Sequence, residues 1–249
     1  MSITLILLLA ASNIAIAGTP PAQTSTLMEP CVILLHGLAR TSSSMRKMGK
    51  ALSAAGYLVH NISYSSREQS VDELASEVIP AAVESCTENG NRTINFVTHS
   101  MGGILVRYFL ETNEVENLGR VVMLSPPNQG SEVVDKLGDM PGFDAVHGPA
   151  GDQLGTDDES VPIQLGPANF DVGIIAGNRS INVFLSMMIP GLDDGKVSIE
   201  SAKLEGMSDF LVVPHSHPFI MKKDLVIRQV VHFLEHGRFE AEETAAANE

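Results

Sequence analysis

The chain has 249 residues, 44% of them hydrophobic and 5% aromatic, a composition typical of one globular domain with an aliphatic core. Its formal net charge of −14 disfavours nucleic acid as a partner, because binding a phosphate backbone needs clustered Lys and Arg. The sequence predicts neither a metal nor a cofactor, since no metal-ligand spacing is found at His60, His147, His232 and His236.

The N-terminal segment is short and apolar. Residues 1–17 end in Ala15-Ile16-Ala17, which is typical of a cleavable export signal, although no Lys or Arg precedes the apolar run. Ser12 and Asn13 interrupt the run, and a membrane-spanning helix needs about 20 apolar residues, so a permanent anchor is the weaker interpretation. We therefore expect a signal peptide over 1–17, a linker over 18–29, and a secreted or periplasmic mature protein without a stable membrane span.

From residue 30 onward, predicted strands alternate with predicted helices. Residues 31–36 form a short continuous apolar run, typical of a strand buried on both faces of a parallel sheet. The alternation predicts an α/β fold with a mostly parallel central sheet and helices on both faces. The other strands are expected over 57–62, 93–98, 120–124, 171–176 and 210–213, and the helices over 42–55, 71–86, 104–110 and 224–236.

This pattern breaks over residues 125–169, where prolines, glycines and an acidic patch replace the periodicity. A long irregular stretch inside a compact domain is usually functional or mobile, so we interpret 125–169 as a cap inserted beside the functional site. A packed surface excursion without a role in selection is the alternative. The domain is expected to span 30–239, followed by a disordered acidic tail over 240–249.

Cys31 and Cys86 are the two cysteines of the chain. Cys31 opens the first strand, and Cys86 closes the helix that leads into the strand before Ser100. Both are expected at the sheet edge opposite Ser100 if those strands are neighbours. Export favours a disulfide between them, and two free thiols are the alternative.

Ser100 lies in a tight turn between an apolar strand and an apolar helix. Such an elbow exposes the serine Oγ above the sheet, beside the free N–H groups of a helix N-terminus, which favours a nucleophilic role. Gly102 and Gly103 supply small residues where the elements nearly touch. Thr98, however, stands where the usual Gly-x-Ser-x-Gly pattern has its first glycine, and a serine that only caps the helix is the alternative.

A nucleophilic serine needs a histidine base and a carboxylate that orients it, and in this kind of sheet the chain order is Ser, then Asp or Glu, then His. The turn over 190–197 offers Asp193 or Asp194 as the acid. The segment after the last strand offers His215 or His217 as the base, and spacing does not decide between them.

The oxyanion donors are expected in two places. One is the backbone N–H of Met101, directly after the nucleophile, and the other is the N–H of Leu38, in the loop after the first strand. His36 is expected to brace that loop, and His99 to point away from the nucleophile.

Five motifs between about Cys31 and Glu235 resemble, in order, those of α/β-hydrolases of the bacterial secreted lipase and esterase kind. The resemblance implies the α/β-hydrolase fold, with Asp194 as the acid because Asp194-Gly195 matches the family's turn. It implies His217 as the base, because a small residue and Phe follow it. The motifs are His36-Gly37-Leu38, residues 98–103, residues 124–131, residues 193–197 and His217-Pro218-Phe219.

The resemblance implies an enzyme that cleaves small-molecule or lipid carboxylic esters through an acyl-enzyme. Acyl transfer or thioester cleavage would use the same residues. A non-catalytic binding protein on a hydrolase scaffold, and a lipid-surface protein whose cap does the binding, are the alternatives from other classes. Phe184, Met187 and Met188 are candidates for an acyl pocket or for the core.

Overall fold

The computed structural model describes residues 28–88, 90, 92–138 and 142–241. The signal peptide predicted over 1–17, most of the linker and most of the acidic tail lie outside the described residues. None of the helices in the described part of the chain combines the length and apolar character that a membrane span requires.

The described strands form one six-stranded sheet in which every neighbouring pair is parallel, in the order β2-β1-β3-β4-β5-β6. This confirms the predicted α/β fold. The strands β1, β3 and β5 are fully buried, as their continuous apolar runs indicate, and β4 is buried over its last four residues. The strands are β1 (Cys31–Leu35), β2 (Leu58–Asn61), β3 (Ile94–His99), β4 (Leu118–Leu124), β5 (Val172–Gly177) and β6 (Asp209–Val213).

Helices cover both faces of the sheet. The pair α2 (Val71–Thr87) and α3 (Met101–Thr112) packs on one face, and α1 (Arg46–Ala54) and α9 (Asp224–His236) pack on the other. The helix predicted over 42–55 is divided, because a short 3₁₀ turn over Ser42–Met45 precedes α1. The shorter helices are α4 (Glu132–Leu137), α5 (Phe143–Asp152), α6 (Val161–Gln164), α7 (Val183–Ser186) and α8 (Ile199–Ala202), and a second 3₁₀ turn spans Ile220–Lys222.

Residues 125–169 contain more regular structure than the sequence indicates, since they include α4, α5 and α6. The helices α4 and α6 are too short to show a periodic pattern. In α5 the pattern is concealed by Pro149 and by Gly148, whose φ of 66° interrupts the helix.

Arg107 of α3 fastens both ends of this segment to the domain. Its guanidinium donates hydrogen bonds to the carbonyl and side-chain oxygens of Asn128, at 2.9 and 3.2 Å, and to the carbonyls of Leu165 and Gly166, at 3.0 and 3.2 Å. Burial lowers the pKa of Arg107 to about 10, against the opposing effect of Glu111, so the group stays charged at neutral pH.

Replacing this cation is expected to destabilise the protein strongly. Arg107→Met would leave several buried carbonyls without a donor, and we expect the free energy of unfolding to fall by about 3–5 kcal/mol. Arg228→Met, at an exposed position of α9, is the control, with an expected change within about 0.5 kcal/mol. Denaturant titration measures both free energies of unfolding. Equal effects of the two substitutions would show that the Arg107 hydrogen bonds do not stabilise residues 125–169.

The disulfide between Cys31 and Cys86 is present, with a Cα–Cα distance of 5.8 Å. It joins the start of β1 to the last turn of α2, and Cys31 lies beside Ile94 of β3 in the sheet. This confirms the predicted bridge and its position at the sheet edge opposite the Ser100 elbow.

Candidate active site

Ser100 lies at the point where β3 ends and α3 begins. Its backbone has φ 54° and ψ −126°, a conformation that a residue with a side chain adopts only at a cost. The neighbouring backbone holds this conformation in place, since the Ser100 N–H donates to the carbonyl of Leu124 at 2.9 Å.

Two glycines allow the elbow to approach the loop after β1. A Cβ atom at Gly37 would lie 2.9 Å from His99 Nδ1 and 3.0 Å from the Ser100 Cβ, and one at Gly102 would lie 2.9 Å from the Leu35 carbonyl oxygen. A side chain at either position would force neighbouring atoms to shift, so the small residues set the distance between the nucleophile and the β1 loop.

Thr98 occupies the strand position two residues before Ser100 without disturbing the elbow. Its side chain is fully buried, and its hydroxyl has no hydrogen-bond partner among the described residues. The β-branched side chain is accommodated because it lies inside a strand, where such residues pack well.

Removing this unpartnered hydroxyl is expected to stabilise the protein. Thr98→Val keeps the branched shape, and we expect a gain of about 1 kcal/mol in the free energy of unfolding, because no buried polar group is left unsatisfied. Thr98→Ala, which also deletes a methyl group, is expected to lose stability. A loss in the Val variant, measured by denaturant titration, would show that the hydroxyl has a stabilising partner.

Three side chains from separate loops meet at the elbow. His217 Nε2 lies 3.1 Å from Ser100 Oγ, and His217 Nδ1 lies 2.8 Å from Asp194 Oδ2. His217 and Asp194 are 3% and 1% exposed, so the carboxylate–imidazole contact is shielded from water. The His217 N–H also donates to the Asp194 carbonyl at 2.9 Å, which ties the two loops together.

Of the two adjacent aspartates, Asp194 is the one that faces the histidine. Asp193 instead accepts hydrogen bonds from the Ser186 hydroxyl and from the Gly195 N–H. Of the two histidines, His217 is the one that reaches Ser100. His215 lies at the edge of the sheet, where its backbone contacts Gly177.

Asp194 is ionised despite its burial. Burial alone would raise its pKa, but the His217 imidazole, the nearby Ser125 hydroxyl and the Val197 N–H stabilise the carboxylate and together lower the pKa below its usual value. The Val197 N–H donates to Asp194 Oδ1 at 2.9 Å. A permanent negative charge therefore lies beside His217 Nδ1 at neutral pH.

His99 does not point away from the site, contrary to expectation. It is 1% exposed, its Nε2 lies 3.0 Å from the His217 carbonyl, and the two rings are 4.8 Å apart. Burial, together with the nearby charges of His217, Arg40 and Lys196, lowers the pKa of His99 well below its ordinary value. A neutral His99 donates its Nε2–H to the His217 carbonyl and so supports the loop that carries His217.

Because His99 is buried in its neutral form, the free energy of unfolding depends on pH. The folded state has the lower pKa, so the unfolded chain binds a proton first as the pH falls below the ordinary value of about 6.5, which destabilises the fold by up to about 1.4 kcal/mol per pH unit. The depressed pKa of Asp194 adds a loss only below its unfolded value of about 3.9. Denaturant titrations at pH 8 to 5 should show a shallower pH dependence in His99→Gln, and parallel curves would contradict this reasoning.

The loop after β1 brings Leu38 to the cavity that contains Ser100. The Leu38 N–H has no partner among the described residues, and Met101 opens α3, where first-turn amides lack an acceptor within the helix. His36 is fully buried and stacks on Tyr64 at 4.0 Å between ring centroids, and the Tyr64 hydroxyl donates to the His36 carbonyl. Nothing in the sequence indicated that Tyr64 would contact His36.

The cavity around Ser100 has a volume of about 70 Å³. Residues 125–169 contribute much of its wall. Phe184 and Met187 do not line it, since they are 75% and 70% exposed, so they form neither an acyl pocket nor part of the core. The apolar lining consists of Leu38, Pro127, Val133, Val134, Leu154 and Val197.

A family model described as palmitoyl protein thioesterase matches residues 31–160, about half of the chain. The chain belongs to the palmitoyl protein thioesterase family. The matched range includes Leu38, Ser100 and Met101 but ends before Asp194 and His217. Membership of this hydrolase family supports hydrolysis of ester-type bonds in general.

Solved structures show the same fold at low sequence identity. The mature lipase BlEst2 of Bacillus licheniformis is 20% identical with a TM-score of 0.65, over 83% of this chain and 92% of that one. The phospholipase PlaB of Legionella pneumophila is 17% identical with a TM-score of 0.63, over 84% of this chain and 60% of that one. The lin2722 gene product of Listeria innocua is 18% identical with a TM-score of 0.58, over 87% and 97%. Comparison with curated protein sequences finds no match.

Proposed function

We propose that this member of the palmitoyl protein thioesterase family is a serine hydrolase that cleaves carboxylic esters through an acyl-enzyme. The observation that carries the proposal is the chain of contacts from Ser100 Oγ through His217 to Asp194, at 3.1 and 2.8 Å. A nucleophile, a base and an orienting carboxylate in this arrangement constitute the machinery of acyl transfer. The apolar cavity lining suits the acyl chain.

In this mechanism, His217 Nε2 takes the proton of Ser100 as Oγ attacks the ester carbonyl carbon. The N–H groups of Leu38 and Met101 stabilise the oxyanion of the tetrahedral intermediate. His217 then donates its proton to the leaving alcohol, and the acyl group remains on Ser100. Water attacks the acyl-enzyme with His217 as the base, which releases the carboxylic acid and restores Ser100.

Thioester cleavage is the second candidate, and the family assignment favours it. The same residues can serve both reactions. A thiolate is a better leaving group than an alkoxide, so it needs less protonation by His217. We also propose that the protein is exported, because the Cys31–Cys86 disulfide is typical of oxidising compartments.

Four measurements test these proposals. A fluorophosphonate probe should label Ser100, as identified by peptide mapping, whereas absence of labelling would favour a non-catalytic binding protein. Phenyl octanoate and its thiophenyl counterpart then separate ester from thioester preference by kcat/KM. Octanoate should be the product of both, and an octanoyl ester formed in the presence of added alcohol would reveal acyl transfer instead. p-Nitrophenyl esters from acetyl to palmitoyl define the preferred chain length.

A further inference from the structure

Two cations line the cavity that contains Ser100. Arg40 comes from the loop after β1, and Lys196 comes from the turn that carries Asp194. No Asp or Glu is among the described residues that line this cavity. This is unexpected in a chain with 30 acidic and 16 basic residues, so the local charge of the cavity is opposite to that of the whole protein.

Lys196 is fixed by its backbone to the residues around the nucleophile. Its N–H donates to Asp194 Oδ1 at 3.0 Å, and its carbonyl accepts a hydrogen bond from the Ser131 hydroxyl at 2.8 Å. The carboxylate that contacts His217 therefore also fixes the position of the Lys196 backbone.

Arg40 is positioned by the loop that carries Leu38. The preceding residue, Ala39, has φ 54°, and its N–H donates to the Ser66 hydroxyl at 3.0 Å. The loop conformation therefore brings a guanidinium to the same cavity as the Leu38 N–H.

Neither cation is paired with an acidic side chain. Within the described part of the chain, the side chains of Arg40 and Lys196 make no ion pair and no hydrogen bond. Lys196 is exposed and Arg40 is partly buried at this cavity. Two positive charges that line one cavity repel each other, and a bound anion relieves that repulsion.

We propose that Arg40 and Lys196 form an anion subsite for a phosphate group carried by the leaving alcohol or thiol of the substrate. A guanidinium donates to two phosphate oxygens at once, and an ammonium supplies a further point charge. Because the apolar lining would bind the acyl chain, the phosphate would lie on the leaving alcohol or thiol, across the scissile bond from that chain. This inference rests on the proposed function and narrows its substrate class to acyl esters of phosphorylated alcohols or thiols.

The kinetic test compares two substrates that differ only in the phosphate, 1-octanoylglycerol 3-phosphate and 1-octanoylglycerol. The wild-type protein should prefer the phosphorylated ester in kcat/KM by about tenfold or more. That ratio should fall towards one in the double variant Arg40→Gln/Lys196→Gln. It should be largely kept in Arg40→Lys/Lys196→Arg, which retains both charges. Lys50→Gln, an exposed lysine of α1, is the control and should leave both rates unchanged.

A binding test separates this inference from the proposed function, because it needs no hydrolysis. Octyl phosphate and inorganic phosphate are titrated into the protein by calorimetry. Octyl phosphate should bind, and its Kd should rise about tenfold or more in the double Gln variant. Equal affinity for the two ligands would show a site for free phosphate and would overturn a substrate-borne group.

Other outcomes are equally decisive. A wild-type preference that survives in the double Gln variant, or binding that does not depend on the two cations, would overturn the subsite. Phosphate binding that depends on the cations in a protein that hydrolyses neither ester would instead retain the subsite and reject the proposed hydrolase.

Discussion

Ser100→Ala is expected to lower kcat for ester hydrolysis by about 10⁶-fold, as removal of the nucleophile does in other triad enzymes. Without Oγ, no acyl-enzyme forms, and His217 loses the group whose proton it takes. The variant retains the oxyanion donors and the cavity, so KM should change far less than kcat. Release of p-nitrophenol from a matched ester measures the rate, and mass spectrometry detects the acyl-enzyme in the wild-type protein.

The structure allows this variant to be separated from a folding defect. The Ser100 hydroxyl has one hydrogen bond among the described residues, to His217, so its removal should leave the unfolding transition nearly unchanged. Ser85→Ala is the control, since this partly buried serine of α2 bonds only to a backbone carbonyl of its own helix. A residual rate near that of the Ser85 control would reject Ser100 as the nucleophile.

The sheet could be predicted because its strands are short apolar runs that differ clearly from the amphipathic helices between them. Most boundaries moved by no more than three residues, as in α3, which begins at Met101 rather than at 104. Ser100 adopts its strained backbone immediately before this helix, and local propensity does not report such a conformation. The helices α4 and α6 escaped prediction because they are shorter than a periodic signal requires, and α5 because Gly148 and Pro149 interrupt its pattern.

The composition of the site is harder to read from the sequence. Chain order places a serine, an aspartate and a histidine after successive strands, but the direction in which Asp193 and Asp194 point depends on the turn around Gly195, whose φ is 97°. The role of His99 depends on burial beneath His217, a contact between residues 118 positions apart. Arg40 and Lys196 likewise line one cavity only because two loops that are distant in sequence meet there.

Asp194→Asn is expected to lower kcat by about 10⁴-fold, because an amide neither fixes the required imidazole tautomer nor stabilises the imidazolium that forms during attack. Asp193→Asn is a closely matched control, since it makes the same chemical change one residue away, at a side chain that contacts Ser186 and Gly195. Its kcat should stay within about tenfold of wild type, because its hydrogen bonds shape the turn rather than orient the base.

Asp194→Asn also changes a buried hydrogen-bond network. Asp194 is 1% exposed and accepts hydrogen bonds from the N–H groups of Lys196 and Val197, so Asp194→Asn should retain part of this network while losing its charge. The rate ratio between the two variants, measured at pH 8 where the wild-type carboxylate is ionised, decides the assignment. A larger loss in the Asp193 variant, with both proteins folded, would exchange the roles of the two residues.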